Sequence, residues 1–202
     1  MTKNKEIRSF SFEIRADKDP DTRKMVGHAA VFGEPTEIGG WFREQIEPGA
    51  FKTSIKKDDI RALFNHNPDF VLGRNTAKTL TLKEDKTGLK VEIDPPDTQL
   101  ARDLAVSIDR GDISQMSFAF RVTRQEWVAG ETEKDMDTRI IKEAQLFDVS
   151  PVTFPAYEGT DIAMRARDEW RKEKRGEDTE SDPPAIERND VHLKRMELLR
   201  RY

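Results

Sequence analysis

The feature that most restricts the fold of this sequence is a repeated alternation of apolar and polar residues in short segments separated by turn-forming residues. In residues 7–16, for example, Phe10, Phe12 and Ile14 would lie on one face of a strand, because successive side chains of a strand point to opposite faces. A period of two is typical of strands with one buried face. The sequence predicts strands at 7–16, 25–32, 60–66, 71–74, 80–83, 89–93, 114–127, 139–149 and 152–154.

Three segments interrupt the alternation and predict helices. The first is the short segment KTSIKK. The second runs from an N-cap at Asp97 or Thr98 to Arg110, and a glycine ends it. The third begins at Asp161. Many short strands with few helices favour a mainly β fold of the α+β class, and we expect a closed or nearly closed β-barrel with a few surrounding helices.

Composition excludes several kinds of site. The chain of 202 residues has no cysteine, which rules out disulfides, thiolate metal sites and a cysteine nucleophile. Its three histidines, His28, His66 and His192, are too few for a histidine-rich metal site. The net charge of -4 argues against a generally basic nucleic-acid binder. Because no apolar run approaches the roughly 20 residues of a membrane span, we expect a soluble, cytoplasmic protein.

The last part of the sequence differs from the rest in composition. More than half of the residues in 168–202 are charged, and a pair of prolines interrupts the segment. So polar a segment buries too little apolar surface to offset the entropy of ordering it. We therefore expect a folded domain at 1–167 and a charged C-terminal tail at 168–202. A rough helical stripe near the end of the tail predicts a terminal helix, formed around Ile186, Val191, Leu193, Met196, Leu198 and Leu199.

Two polar residues of the predicted strands are candidates for chemistry. His66 ends an apolar strand between two asparagines, and strand ends are where loops build sites. Ser117 faces away from the apolar stripe of the strand 114–127, beside the small Ala119, where a substrate carbonyl would find room. Both also have an ordinary structural interpretation, His66 as a histidine bonded to backbone and Ser117 as a serine on a solvent face. Ser114 is the nearest competing nucleophile.

A third candidate is Asp148, which shares one face of an otherwise apolar strand with Ser150. An unpaired buried carboxylate is costly, so Asp148 needs partners. It could orient the imidazole of His66 or bond backbone amides at the Pro151 turn, and the sequence does not decide between the two. One histidine, one serine and one aspartate are the parts of an acyl-transfer triad, and free N–H groups in the turn after Arg110 could form an oxyanion hole.

Six short segments in a fixed order carry a resemblance to a known family: GHAAVF at 27–32, EPGAF at 47–51, LFNH at 63–66, VLGR at 71–74, MSFAF at 116–120 and DVSPVTFPAY at 148–157. Over roughly residues 10–165, the sequence resembles the prohead (capsid maturation) protease family of tailed bacteriophages. Each segment alone is weakly specific, but their number and order are specific. The resemblance implies a fold similar to the herpesvirus assembly protease (assemblin), a seven-stranded β-barrel ringed by helices.

The resemblance implies a serine endopeptidase that acts inside the immature capsid. It assigns His66 as the general base, Ser117 as the nucleophile and Asp148 as the third member of the triad, where the phage motif has an acidic residue and the herpesvirus enzymes use a second histidine. The implied substrates are the scaffold or the scaffolding segment of the major capsid protein, and the protease itself, which would allow a homo-oligomer. The implied location is the prohead in the host bacterial cytoplasm. Neither a cofactor or metal nor a nucleic-acid or membrane partner is expected.

Other interpretations stay open on the sequence alone. A non-catalytic capsid-interior scaffolding protein would account for the charged tail and would need neither His66 nor Ser117. A nucleic-acid-binding barrel would require a basic, aromatic face, which the acidic balance does not favour. Two residues of the family-like segments also have two interpretations each: His28 could face the core or the site, and Arg74 could bind substrate or pair an acid.

Overall fold

The structure is a computed structural model that describes residues 5–10, 14–16, 24–132, 135–154 and 160–175. These ranges are mainly β, as predicted, and none of their helices is long and apolar enough to cross a membrane. The helices are α1 (Lys52–Lys57), α2 (Gln99–Asp109) and α3 (Thr160–Arg175). In chain order the strands are β1 (Glu6–Phe10), β2 (Arg15–Ala16), β3 (Met25–Val31), β4 (Thr36–Ile38), β5 (Phe42–Ile46), β6 (Arg61–Phe64), β7 (Asn67–Arg74), β8 (Leu80–Glu84), β9 (Gly88–Ile93), β10 (Gln115–Val128) and β11 (Thr138–Val152).

The strands form two sheets, and the larger sheet carries the candidate residues. This seven-stranded sheet has the order β1-β10-β11-β5-β4, with β6 paired to β11 and β7 paired to β6. The smaller sheet has four strands in the order β2-β3-β9-β8. The longest strands, β10 and β11, are an antiparallel pair of 14 and 15 residues. On its other side, β11 pairs in parallel with β5 along its first part and with β6 near its end.

Neither sheet closes into a barrel within the described part of the chain, so the barrel prediction is wrong there. The single strand predicted at 7–16 is instead two strands, of which β1 pairs with β10 in the larger sheet and β2 pairs with β3 in the smaller one. Alternation in a sequence reports which face of a strand is buried, but it does not report which strand lies beside it. The pattern therefore supported a mainly β fold and not the closure of its sheets.

One apolar cluster joins the two sheets and helix α2. The apolar stripe predicted on β10 lies in this cluster, where Met116, Phe118 and Phe120 are each 0% exposed. The ring centroid of Phe118 lies 4.7 Å from that of Phe120 and 5.6 Å from that of Phe51, which precedes α1. Since this face of β10 is buried in the core, the opposite face is the one on which a site can form.

Helix α2 begins and ends at the signals read from the sequence. The Oγ1 atom of Thr98 accepts a hydrogen bond from the N–H of Ala101 at 3.3 Å, so Thr98 is the N-cap. Asp97, the other candidate, forms an ion pair with Arg102 at 2.6 Å. Gly111 follows the helix with a φ of 83°, a left-handed conformation that glycine adopts without steric cost.

The sequence analysis did not predict the hairpin formed by β4 and β5. Its turn contains Gly39 and Gly40, with φ values of 59° and 78°, and two consecutive glycines are a known signal for such a turn. The third predicted helix is α3, whereas the predicted terminal helix of the tail and residues 155–157 lie outside the described residues. The hairpin, β10 and α3 share a second apolar cluster, made of Ile38, Phe42, Trp127, Ala163, Met164 and Trp170.

A buried ionic cluster fixes β1 within the larger sheet. Its members, Glu6, Arg8, Glu44 and Arg139, are each at most 4% exposed. Arg8 Nε lies 2.7 Å from Glu44 Oε1, while Arg139 Nη1 lies 2.7 Å from Glu6 Oε2 and 2.9 Å from Glu44 Oε2. Burial raises the pKa of Glu44, but the charges and hydrogen bonds of the two guanidinium groups outweigh it, and the pKa lies below its ordinary value.

Replacing Arg139 with methionine is expected to lower the free energy of unfolding by about 3–5 kcal/mol at pH 7, because two buried carboxylates would then share one guanidinium. Ionised Glu44 stabilises the fold above its unfolded pKa, and this contribution is lost as the pH falls through its lower folded pKa. The difference between variant and native protein should therefore shrink below about pH 4.5. Urea unfolding at pH 7 and pH 4 measures both effects. Lys142→Met, which removes a partly exposed ion-pairing cation, is the control, and an equal loss in both variants would contradict the prediction.

Candidate active site

His66 lies in a two-residue turn that joins β6 to β7. Phe64 and Asn67 pair as the flanking residues, and Asn65 and His66 between them have φ values of 52° and 55°. A hairpin turn of this length favours the left-handed conformation at both central residues. Asparagine and histidine are both enriched among the non-glycine residues that adopt this conformation, and such residues collect at functional sites.

Asn65 holds this turn against the end of β11. Its N–H donates to the carbonyl oxygen of Pro151 at 3.0 Å. Its Oδ1 atom accepts a hydrogen bond from the N–H of Thr153 at 2.9 Å, and its Nδ2 atom donates to Thr153 Oγ1 at 3.1 Å. These three hydrogen bonds fix the position of His66 relative to β11, the strand that carries Asp148.

The strand register places Ser117 and Asp148 on one face of the larger sheet. Ser117 of β10 lies opposite Ser150 of β11, and Ala119 lies opposite Asp148. Directly opposite residues share a face, and so do residues two positions apart on one strand. Ser117, Asp148 and Ser150 therefore all lie on the face opposite the apolar stripe of β10, as the alternation predicted for Ser117.

The three predicted residues meet in one chain of hydrogen bonds. His66 Nδ1 lies 2.5 Å from Asp148 Oδ1, and His66 Nε2 lies 2.7 Å from Ser117 Oγ. A carboxylate only accepts hydrogen bonds, so Nδ1 carries the proton of the neutral imidazole and Nε2 can accept the proton of Ser117. The sequence left two possible partners for Asp148, and in the structure its carboxylate contacts the imidazole of His66. The arrangement can take a proton from the hydroxyl and place the resulting positive charge beside a carboxylate.

The surroundings of Asp148 keep its carboxyl group ionised. Burial raises the pKa of Asp148, but the hydrogen bond from His66, the charges of His66 and Lys5 and the hydrogen bond from Ser150 outweigh it. The pKa of Asp148 therefore lies below its ordinary value. Asp148 is only 3% exposed, and the same contacts offset the free-energy cost of burying its carboxylate. A carboxylate that stays ionised at neutral pH can stabilise an imidazolium.

Ser117 is enclosed by its neighbours. It is 0% exposed, which excludes the interpretation of a serine on a solvent face. Its Oγ atom also lies 2.8 Å from the carbonyl oxygen of Arg8 in β1. The single hydroxyl proton can serve either this carbonyl or His66 Nε2, but not both at once. A substrate can therefore reach Oγ only after the groups around it move apart.

The other polar candidates lie outside this chain of hydrogen bonds. Ser114 is exposed. His28 Nε2 lies 2.9 Å from Asp85 Oδ2, and Arg74 forms two hydrogen bonds of 2.7 Å with Asp59, so Arg74 pairs an acid, one of its two predicted interpretations. Within the described ranges, the structure has no group of three or more metal-binding side chains that could hold an ion.

The turn after α2 does not supply the free N–H groups that the sequence analysis expected there. The N–H of Gly111 donates to the carbonyl of Ile108 at 3.0 Å, and those of Asp112 and Ile113 donate to the carbonyl of Ser107 at 2.9 and 3.2 Å. Helix C-termini leave carbonyls without intrahelical partners, and these carbonyls take up the N–H groups of the turn. The oxyanion-hole prediction for this turn is therefore wrong.

Three residues around the candidate triad were not assigned a role from the sequence. Asn65 had only a weak signal, because asparagine is common in turns but the pair Asn-His is not one of the dipeptides that mark a two-residue hairpin. Ser150 was placed on the face of Asp148, but its contact with the carboxylate depends on side-chain geometry. Lys5 had no local signal, because its contact with Asp148 depends on β1 pairing with β10.

Comparison with known proteins gives one family match. A family model described as caudovirus prohead serine protease matches residues 10–174. This range contains His66, Ser117 and Asp148 and reaches the last turn of α3. Neither the curated proteins nor the solved structures that were searched gave a significant match.

Proposed function

The chain belongs to the caudovirus prohead serine protease family and is therefore a serine peptidase of capsid maturation, and we propose that His66, Ser117 and Asp148 form its catalytic triad. The observation that carries this proposal is the unbroken series of hydrogen bonds from Asp148 through His66 to Ser117. The three side chains come from three strands or turns that are distant in the sequence, and each offers the atom that an acyl-transfer triad requires.

The proposed mechanism is a two-step acyl transfer. His66 Nε2 accepts the hydroxyl proton as Ser117 Oγ attacks the carbonyl carbon of a peptide bond. Asp148 stabilises the imidazolium that forms, and His66 then gives the proton to the leaving amine. In the second step His66 takes a proton from a water molecule, whose oxygen attacks the acyl carbon; the bond from that carbon to Ser117 Oγ breaks, and His66 returns the proton to Oγ. No step requires a metal or an organic cofactor.

We further propose that the substrates are the scaffold or the scaffolding segment of the major capsid protein, and the protease itself. The support is the family, since a prohead is an immature capsid and a protease that acts in it encounters the proteins enclosed with it. The proposed location is thus the prohead in the host bacterial cytoplasm. Self-cleavage between copies would be compatible with a homo-oligomer.

The proposal is tested by incubating the purified protein with its own capsid precursor and following fragments by intact-mass spectrometry. We expect a time-dependent loss of the precursor and the appearance of a small number of defined fragments. Capsid protein that already lacks its scaffolding segment is the control and should stay intact. A protein that binds the precursor without cleaving it would instead be a scaffolding protein, and the triad proposal would be wrong.

Replacing Asn65 with alanine is expected to reduce kcat by about tenfold to hundredfold, because a small displacement of a catalytic base has effects of this size. The variant would lose both side-chain hydrogen bonds to Thr153. Initial rates on a peptide from the mapped cleavage site measure the effect. Asn75→Ala is a matched control, since Asn75 also bonds backbone groups, at Ile60 and Asp58. If both variants keep native kcat, Asn65 does not position the base.

For the domain organisation, we propose that the protease domain at 1–167 carries the chemistry, and that the tail at 168–202 is dispensable for the chemistry and needed for delivery into the capsid, although its first residues complete α3. The support is the composition of the tail, in which more than half of the residues are charged. Helix α3 spans this boundary and contributes Trp170, whose ring lies 6.1 Å from that of Trp127. A truncation that tests the proposal should therefore leave α3 complete.

The chain shortened after residue 175 is expected to keep its melting temperature and its cleavage of precursor in solution, yet to be missing from assembled particles. Differential scanning calorimetry, the fragment assay and mass spectrometry of purified proheads measure these three properties. Shortening after Arg167, which removes Trp170 as well, is the control and should lower the melting temperature. Normal packaging of the chain that ends at residue 175 would contradict a delivery role.

A further inference from the structure

The carboxylate of Asp148 has two contacts beyond His66, and they occupy both of its oxygens. Ser150 Oγ donates to Oδ1 at 3.0 Å and lies 3.4 Å from His66 Nδ1. Lys5 Nζ donates to Oδ2 at 3.2 Å. The terminal torsion of an aspartate is broad, so a carboxylate held at one oxygen alone can turn. With both oxygens held, its plane is fixed relative to the imidazole.

The elements that carry these two groups are themselves rigidly held. Ser150 is 0% exposed and lies within β11, directly opposite Ser117. Lys5 immediately precedes β1, which pairs with β10 along its length. Two residues of β1, Glu6 and Arg8, belong to the buried ionic cluster. The backbone at Lys5 is therefore anchored, and its ammonium group reaches Asp148 from a fixed point.

From this geometry we propose that Lys5 and Ser150 are positioning residues of the protease, which hold the Asp148 carboxylate in the orientation that His66 requires. This inference rests on the proposed catalytic triad. Lys5 also changes the electrostatics of the site. Its positive charge partly offsets the negative charge of Asp148, which stabilises the imidazolium of His66. The side chain of Lys5 is 33% exposed, so solvent partly screens its interaction with Asp148.

Among the described residues, the charged or titratable groups that contact the Asp148 carboxylate are Lys5 from the start of β1 and His66 from the turn between β6 and β7. Arg61 of β6 lies opposite Asp148 in the strand register, but its guanidinium pairs with Asp59 at 3.1 Å. Removing Lys5 therefore leaves the charge of Asp148 less compensated, which favours the protonated imidazole. Because the protonated base is inactive, the acid limb of the pH–rate profile should move to higher pH.

The first test is the pH dependence of kcat/KM for Lys5→Met and Lys5→Arg. We expect the acid limb of Lys5→Met to lie about 0.5–1 pH unit above that of the native protein. Lys5→Arg, which keeps the charge, should restore the native profile. Lys90→Met is the matched control, because Lys90 forms a partly exposed ion pair with Glu92 at 3.0 Å outside the site. Identical profiles for Lys5→Met and Lys90→Met would overturn the role of Lys5.

The second test compares Ser150→Ala with Ser54→Ala. Both are buried serines whose hydroxyl donates to a carboxylate, Ser150 to Asp148 and Ser54 to Asp58 at 2.6 Å. We expect Ser150→Ala to lower kcat about tenfold to hundredfold and Ser54→Ala to lower the melting temperature without lowering kcat. Equal kcat values in the two variants would overturn the role of Ser150. If Ser150→Ala does not fold, the Lys5 profiles decide the proposal.

These outcomes are separable from a failure of the triad itself. A native protein that cleaves precursor and loses this activity in Ser117→Ala supports the triad, whatever the Lys5 and Ser150 variants do. If the variants then behave like their controls, the positioning roles are wrong and the triad stands. If Ser117→Ala remains active, the triad fails first and the positioning inference fails with it.

Discussion

Replacing Ser117 with alanine is expected to abolish cleavage of the capsid precursor and of the protease itself, with a loss in kcat on the order of 10⁶-fold. The variant removes the oxygen that would form the acyl-enzyme, and the remaining groups cannot replace it. Serine and alanine differ by one atom in a site that is already closed, so the fold should survive. Mass spectrometry of the precursor reaction measures the loss, and circular dichroism verifies the fold.

Ser114→Ala is the matched control for this variant. Ser114 lies three residues before Ser117, is exposed and has no place in the chain of hydrogen bonds through His66. We expect Ser114→Ala to cleave at the native rate. If Ser117→Ala were fully active and Ser114→Ala inactive, the nucleophile would be Ser114. Native activity in both variants would exclude both serines as the nucleophile.

The second large effect is expected at His66, with Asp148 following it. His66→Ala removes the group that takes the proton directly and should cost on the order of 10⁶-fold in kcat. Asp148→Asn keeps the shape of the side chain but removes the charge that stabilises the imidazolium, and should cost on the order of 10⁴-fold. The order of the two losses follows from their roles, since Asp148 acts through His66. Single-turnover rates on a peptide substrate measure both.

The pH dependence of the native protein separates a base from a structural histidine. The rate should rise with pH through the range in which imidazoles lose their proton, because only the neutral form accepts the proton of Ser117. A rate that stays flat between about pH 5 and 8 would exclude His66 as the base.

Circular dichroism of Asp148→Asn is the control for the loss of activity in that variant. If Asp148→Asn is unfolded, its loss of activity reports a structural role of Asp148 instead.

The faces of the strands could be predicted from the sequence, whereas their partners could not. Met116, Phe118 and Phe120 repeat at every second position, and this pattern alone places Ser117 on the opposite face. The same pattern does not show that β1 pairs with β10 along the edge opposite β11. This pairing places the carbonyl oxygen of Arg8 against Ser117 Oγ. The sequence analysis therefore predicted room beside Ser117, and the structure has a closed site there.

The turn that carries His66 shows a second limit of the pattern. The strands predicted at 60–66 and 71–74 leave Pro68 in the turn between them. In the structure β7 begins at Asn67 and contains Pro68, which is tolerated in edge strands because they leave one row of N–H groups unpaired. Strand β7 pairs only with β6 among the described strands. The two-residue turn at Asn65 and His66 follows from this early start.

The candidate triad itself could be named from residue types and resemblance, but its assembly could not be derived. His66, Ser117 and Asp148 lie on or beside β6, β10 and β11, and they meet because β11 pairs with both of the other strands. Such contacts between distant segments depend on strand order, for which the local sequence carries no signal. The contact of Lys5 with Asp148 depends on the same strand order.

Covalent labelling with a fluorophosphonate tests the proposed triad most directly, because this reagent reacts with a serine that an adjacent base has activated. After incubation at neutral pH, intact-mass spectrometry gives the number of adducts and peptide mapping gives their position. We expect one adduct, on Ser117, which forms in the native protein and in Ser114→Ala but not in His66→Ala. An adduct on another serine, or labelling of Ser117 that does not depend on His66, would contradict the proposed triad.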